Sequence, residues 1–287
     1  MEPDTPRGRD GLGLDDATAT RIAELAEARM MWATVAVSPR EVRETLGIQA
    51  ARIGSGIALA MAHDPTGGYW NKAIAHGLTG PVDDALIAEL VGFYEGAGAP
   101  AAAIQIPPAL LPEDWDDIAG RYGLKAGTRL HKMLRHRSAP TAGETELDVR
   151  GVDTHHSEAW ARVLIEGFGM PTEPALVEMI SSTIGRDFFA FGAWDGDRLV
   201  ASGGVHLGGD VAALSGAATL PDARGRGAQT GLLTARIRAA VDAGCTWISA
   251  ETGSERGVDR SMSFRNLRRA GFVELYERPN WVWRPAA

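Results

Sequence analysis

Apolar and polar positions along the chain switch between helical and strand spacing, and they do so twice. Ile22, Leu25, Ala26 and Met30 recur on one face of a helix that Asp16 or Thr18 can cap. Arg52 to Ala60 alternates as a strand should, and Asp64-Pro65-Thr66-Gly67-Gly68 is turn chemistry. Asn71 to Leu78 reads as a second strand. Thr79-Gly80-Pro81 closes it and opens a helix through Leu86, Leu90 and Phe93. A short strand, Ala101 to Ile106, stops at Pro107-Pro108. Trp115 to Arg121 then reads as a helix and Leu130 to Arg137 as a strand.

Ser138 to Gly143, small residues around a proline, reads as a linker. After it Leu147 to Val152 is a strand and His155 to Gly167 a helix. Phe188 to Trp194 and Arg198 to His206 pair across Asp195-Gly196-Asp197, a strong hairpin signal, and Val211 to Leu220 follows as a strand. Leu232, Leu233, Ile237 and Val241 mark a helix from Gln229 to Ala243, with Gly244 placed to end it. Thr246 to Glu251 is a strand, Phe264 to Ala270 a helix, and Val273 to Trp283 runs extended. Each half closes alike: a helix meets a glycine and an apolar residue, Gly123-Leu124 or Gly271-Phe272, and a final strand begins. Two such matches in halves of similar element order point to an internal duplication.

Composition bounds this picture. The 287 residues suit two domains at roughly 100–200 residues each, and 45% hydrophobic with 23% charged is ordinary globular usage. A net charge of -8 argues against nucleic acid, whose binding needs a basic face, and weakly favours a cationic small substrate. The single cysteine, Cys245, excludes an intrachain disulfide and a thiolate zinc cluster, and no carboxylate or histidine group has metal-ligand spacing, so no metal is expected. Residues 1–16 lack the apolar stretch of a signal peptide and read as a flexible tail; no segment approaches the ~20 apolar residues of a membrane span. A cytoplasmic location without membrane attachment is expected, and oligomeric state is left open.

One segment carries distinctive chemistry. Leu214 to Leu233 runs from an apolar strand through Pro221 and Arg224-Gly225-Arg226-Gly227-Ala228-Gln229 into the amphipathic helix. Gly225 and Gly227 leave room for an anion, the helix offers its unsatisfied first-turn N–H groups, and Arg224 and Arg226 add charge. A Walker A loop would need Gly-Lys-Ser/Thr, and a dinucleotide fingerprint a third glycine where Thr230 stands. The segment resembles the GNAT superfamily of acyl-CoA-dependent N-acyltransferases, whose signature is a strand, often a proline, then [QR]-x-x-G-x-[GA] opening a helix. Arg224 and Gly227 match, and Gln229 replaces the usual small residue. The resemblance covers roughly Thr145 to Trp283, including Ser263 to Phe272.

The resemblance implies an α/β (α+β type) protein of two GNAT-like domains, each a mixed, largely antiparallel twisted sheet flanked by helices. Residues 17–138 would be a degenerate copy without the cradle, since Leu78-Thr79-Gly80-Pro81-Val82 holds no arginine and one glycine, and residues 145–287 the catalytic domain. Acetyl-CoA, the implied co-substrate, would meet the backbone of Ala217, Ala218 and Thr219, the cradle from Arg224 to Gln229, and Asn266. Glu166 and Phe168 fall where relatives build the amine pocket. Glu251, at a strand end, is a candidate base, or else a solvated strand-end carboxylate or an ion-pair partner. His206 has the right side chain for proton transfer, or is a surface or a hydrogen-bonded histidine. Leu267 stands where many relatives carry an acidic tyrosine, which leaves Tyr276 as the nearby phenol, or as a half-buried strand aromatic. Acceptor choice would lie in the loops Gly167 to Pro174 and Thr252 to Met262. The expected activity is direct acetyl transfer to a primary amine of a small molecule or peptide; a non-catalytic acyl-CoA sensor, a partner subunit and a structural scaffold are the alternatives.

Overall fold

The structure is a computed structural model that describes residues 12–139, 143, 145–185, 187–253 and 261–286. The expected tail lies largely outside these residues, as do residues 140–142 of the expected linker and 254–260 of the second acceptor loop. The first half runs α1 (Asp16–Ala36), α2 (Arg40–Leu46), β1 (Ile48–Ile53), β2 (Gly56–Met61), β3 (Lys72–Ile74), α3 (Asp84–Gly96), β4 (Ala102–Gln105), α4 (Trp115–Arg121) and β5 (Lys125–His136). The second runs β6 (Asp148–Gly151), α5 (Ser157–Gly167), α6 (Pro174–Ser181), β7 (Phe188–Asp195), β8 (Arg198–Gly208), β9 (Val211–Thr219), α7 (Ala228–Asp242), β10 (Trp247–Gly253), α8 (Met262–Arg269) and β11 (Val273–Trp283).

The strands form one open sheet in the order β1-β2-β3-β4-β11-β5-β10-β9-β8-β7-β6. Among the described residues only β3/β4 and β9/β10 pair in parallel. The last strands of the two halves are exchanged. β5, which ends the first half, lies against β10; β11, which ends the second, lies against β4; and the two pair with each other between. The halves therefore share backbone hydrogen bonds at the centre of a single sheet.

One face of that sheet packs on helices from both halves. Met31 and Val35 of α1, Leu46 of α2, Trp160 of α5 and Leu176 of α6 share a core with Leu59 of β2 and Phe188 of β7. The opposite face is covered separately, by α3 and α4 over the first half and by α7 and α8 over the second. Among the described residues no helix is long and apolar enough to cross a membrane.

The duplicated closing device has a physical basis. Gly123 and Gly271 both adopt positive φ, and Leu124 and Phe272 donate their N–H back five residues, to Ala119 and Leu267. That is the Schellman arrangement, which glycine permits without steric cost. Gly244 ends α7 in the same way.

Some local expectations fail. The strand expected over Arg52 to Ala60 is a hairpin, because Gly54 at φ 53° turns the chain between β1 and β2. The strand from Asn71 shortens to three residues. Helices α2 and α6 appear where no element was expected. Helix α1, capped by the Asp15 side chain on Thr18 N–H, buries Ala19, Ala23, Glu24, Glu27 and Met31 more deeply than the Ile22–Leu25–Met30 stripe. It lies along the middle of the sheet, where even its glutamates find partners.

Candidate active site

Strands β9 and β10 start side by side and then part. Their last paired residues are Ala213 and Ser249. Beyond them β9 keeps β8 as its other neighbour and β10 keeps β5, so a wedge opens in the sheet, bordered by backbone groups without a strand partner. The bulge at Gly216, between the pairs Gly204–Ser215 and Gly203–Ala217, bends β9 at this point. A cleft of about 580 Å3 occupies the wedge. Leu233, Asn266 and Leu267 line it from α7 and α8 on one face of the sheet, and Glu27, Met30 and Met31 line it from α1 on the other. A ligand can thus enter from one face and meet a second from the opposite face.

The glycine-rich turn sits at the end of β9. Gly225 and Gly227 take φ of 82° and 80°, and Gly227 starts α7 with no side-chain cap from the described residues. The first helical hydrogen bond of α7 is from Gly231 N–H to Gly227, which leaves the N–H groups of Ala228, Gln229 and Thr230 at the helix start for an anion. Arg224 donates to the carbonyls of Thr219 and Gly167, 3.3 Å each, and ties the turn to β9 and α5. Gly167 must be glycine, since a Cβ there would stand 2.6 Å from that of Ala218.

The family model for the GNAT acetyltransferases matches residues 157–260, the span that contains the wedge and the turn. Residues 157–260 are similar to the GNAT acetyltransferase domain. Three solved structures match almost the whole chain in fold. A GCN5-related N-acetyltransferase from Kribbella flavida shares 14% identity over 93% of this chain and 96% of its own, at a TM-score of 0.63. One from Sphaerobacter thermophilus shares 15% over 96% of each chain, at 0.58. A tandem GNAT protein from the clavulanic acid biosynthesis pathway shares 12% over 94% and 95%, at 0.56. No curated protein matches in sequence.

The cleft gathers some of the expected residues and not others. Ala217, Gln229 and Asn266 line it, as does Phe168, whose half-exposed ring lies over Gly216. Ala218 and Thr219 are buried in β9 beside it. Gln229 Nε2 donates to Thr219 Oγ1 at 2.9 Å, so its side chain folds back along the strand. Arg226 turns away. Its guanidinium holds both oxygens of Asp195, at 2.5 and 3.0 Å, and the pairing lowers the Asp195 carboxyl. Glu166 is exposed and outside the cleft.

The expected acid–base groups are placed differently from one another. His206 is buried on β8, outside the cleft, and burial depresses its imidazole. Tyr276 also lies outside. Its hydroxyl donates to Glu24 at 2.7 Å, and burial, then the Glu24 charge, raises the phenol well above its usual range. Glu251 does line the cleft, as an ion-pair partner: Oε2 is 3.0 Å from Lys132 Nζ and 2.5 Å from Arg278 Nη2. Its Oε1 takes no hydrogen bond from the described residues.

These contacts belong to a buried cluster that the sequence reading missed. Glu24 and Glu27 of α1 face Lys132 of β5 and Arg278 of β11, all nine-tenths buried or more. Burial would raise the Glu27 carboxyl, but Lys132 and Arg278 outweigh it and hold the group well below the usual carboxylate range. Gln105 of β4 also accepts from Arg278. The signal was present in the spacing: Glu24 and Glu27 stand three apart beside Ala23 and Met31, on the most buried face of α1. Arg236 was missed as well. It is a buried cleft residue of α7 that donates to the carbonyls of Leu232, Gly204 and Ser215, and burial pulls it down to about 10.

Proposed function

We propose that this chain is an N-acyltransferase that moves an acyl group, acetyl by default, from coenzyme A to a primary amine of a small molecule or peptide. The observation that carries the reading is a cleft passing through the sheet from the α7 side, where the uncapped helix start lies, to the α1 side. The acyl thioester would enter along α7 and α8, with its phosphates on the N–H groups after Gly227. Its carbonyl would meet the open edge of β9 near Gly216 and Ala217, whose backbone donors suit a developing oxyanion. The amine would approach from the α1 face, where Glu251 Oε1 can accept from the ammonium and orient it.

In this reading the amine lone pair attacks the thioester carbonyl, the C–N bond forms, and the C–S bond breaks as the thiolate leaves. His206 and Tyr276 stand outside the cleft, so the proton lost by the ammonium and the proton gained by the thiolate travel through cleft water. Holding two reactants in line contributes much of the acceleration in such a scheme. The same two placements favour the second reading, a non-catalytic acyl-CoA sensor or partner subunit.

Calorimetry with acetyl-CoA, followed by thiol release across an amine panel, separates them. One site per chain with amine-dependent release supports the enzyme. One site without release by any amine supports the sensor, and absence of binding sinks both.

A further inference from the structure

The cleft does not end at the wedge. It continues along the α1 face of the sheet, across β10, β5, β11 and β4 to β3 of the first half, where Tyr69, Lys72 and Ala103 line it. Along that face its two ends carry opposite charge. At the wedge end stand Glu24, Glu27 and Glu251 against Lys132 and Arg278, three carboxylates against two cations and so one net negative charge on this face, while the cation Arg236 lines the wedge from the α7 face.

At the far end Lys72 is 6% exposed. Its Nζ lies 4.0 Å from the centre of the Tyr69 ring and makes no ion pair or hydrogen bond with the described residues. Exposed Arg284, just past the end of β11, lines the same end. A lysine buried to this degree is costly unless an anion joins it. The cluster carboxylates supply none at contact distance: Glu24 and Glu27 turn to Lys132 and Arg278, and Lys72 reaches Glu27 only through its field.

We infer that the acceptor is an elongated amine with a carboxylate at its other end, the ammonium resting at Glu251 beside the wedge and the carboxylate on Lys72. The inference rests on the acyltransferase reading and names its substrate class. One buried lysine beside the Tyr69 ring, with Arg284 left in solvent at the same end, suits a monoanion, and the ring holds the ammonium side-on without neutralising it. Strands β3 and β10 are four steps apart in the sheet, roughly 19 Å at ~4.8 Å per step. Glu251 reaches over Lys132 of β5 to Arg278 of β11, which leaves two strand steps to β3, so the two ends of the acceptor stand roughly 10 Å apart. An α-amino acid is too short for this; a short peptide or a long ω-amino acid fits.

The test uses acceptors in matched pairs, trialanine with its C-terminal amide and aminooctanoate with aminooctanamide, alongside a panel of neutral and polycationic amines. In the intact protein the acid of each pair should exceed its amide at least tenfold in kcat/KM, through KM. In Lys72→Gln the acid-to-amide ratio should fall to about one, and Lys72→Arg should recover part of it. The ratio does not depend on how much of a variant folds. Equal use of acid and amide, a ratio unchanged by Lys72→Gln, or turnover confined to neutral or polycationic amines would each overturn the inference and leave the acyltransferase reading standing. Binding of acetyl-CoA with no turnover of any amine would overturn both.

Discussion

Strands β9 and β10 part after Ala213 and Ser249, and β3 and β4 part after Ala73 and Ile104. Each parting precedes a helix, α7 in one half and α3 in the other, yet the two places are built to opposite ends. Beside β9 the chain from Leu214 to Ala217 is partly or fully exposed. Beside β3 the residues Ile74, Ala75, His76, Gln105 and Ile106 are all completely buried. Helix α7 starts at an uncapped glycine. Helix α3 starts at Asp83, whose carboxylate accepts from Leu86 N–H, with Asp84 next, paired to Arg121 and Tyr122. A carboxylate at a helix start occupies the place an external anion would take and repels it. The first half thus repeats the parting of strands before a helix, but its wedge is filled with side chains and its helix start with acid.

The largest effect should come from the cluster that joins the two regions. Arg278, on the exchanged strand β11, touches Glu24, Glu27, Glu251 and Gln105. Removing one partner of a buried ion cluster strands the others, at a cost of about 3–5 kcal/mol. Arg278→Met should lose that much in urea denaturation followed by tryptophan fluorescence, and both halves should unfold in one transition because β5 and β11 belong to both. Two transitions in the parent would mean that the exchanged strands do not couple the halves.

Next comes the filled wedge. His76 is fully buried; Nε2 meets the carbonyl of Ile57 at 3.1 Å and Nδ1 has no hydrogen-bond partner among the described residues, and burial pulls the imidazole down to about 4. Its folded value lies below the unfolded value of about 6.5, so the unfolded chain binds more protons between them. Stability is then complete above pH 6.5 and lost as pH falls toward 4, by about 3 kcal/mol. Melting from pH 7 to 4.5 should show this slope in the parent and a flatter one in His76→Gln. Glu27, also depressed, adds acid sensitivity below pH 4.5.

A direct exchange of character is Gly227→Asp, which gives α7 the start that α3 has. Acetyl-CoA affinity should fall about a hundredfold, near 2.7 kcal/mol, with little change in melting, since aspartate tolerates positive φ better than most residues. The reverse change, Asp83→Gly, should leave calorimetric stoichiometry at one per chain, because the wedge beside β3 stays filled.

The sequence made one of these regions legible and hid the other. Glycines at positive φ, a proline and a following amphipathic helix leave a local trace, so the turn from Arg224 to Gln229 and the Gly123 and Gly271 helix ends could be read from neighbouring residues. Strand identity held where runs were long, as in Val273 to Trp283. The exchange of β5 and β11 left no trace, because each strand is as apolar as it would be beside its own half. Nor did the partners of Glu24, Glu27, Lys132 and Arg278 announce themselves. They lie more than a hundred residues apart, and only the sheet order brings them together. The same distance hid Lys72, a single lysine in a short strand, whose isolation is visible only once its neighbours are known.

The smallest effect is expected at Gln229, where the sequence departs from the GNAT signature. A glutamine there could block the approach of a phosphate to the helix start, which would make the open wedge as inert as the closed one. Its amide instead donates to Thr219 Oγ1 at 2.9 Å, and Thr219 lies at the end of β9, so the side chain runs along the strand and leaves the N–H groups after Gly227 uncovered. Phosphate binding at such a site draws on backbone donors and the helix dipole, neither of which Gln229→Ala alters. That variant should bind acetyl-CoA within about threefold of the parent, a difference below 0.7 kcal/mol. A gain of thirtyfold or more would show that the glutamine obstructs the site, and a loss of that size that its amide is itself a ligand for the phosphates. Either would place the contrast between the two helix starts in a side chain rather than in the backbone.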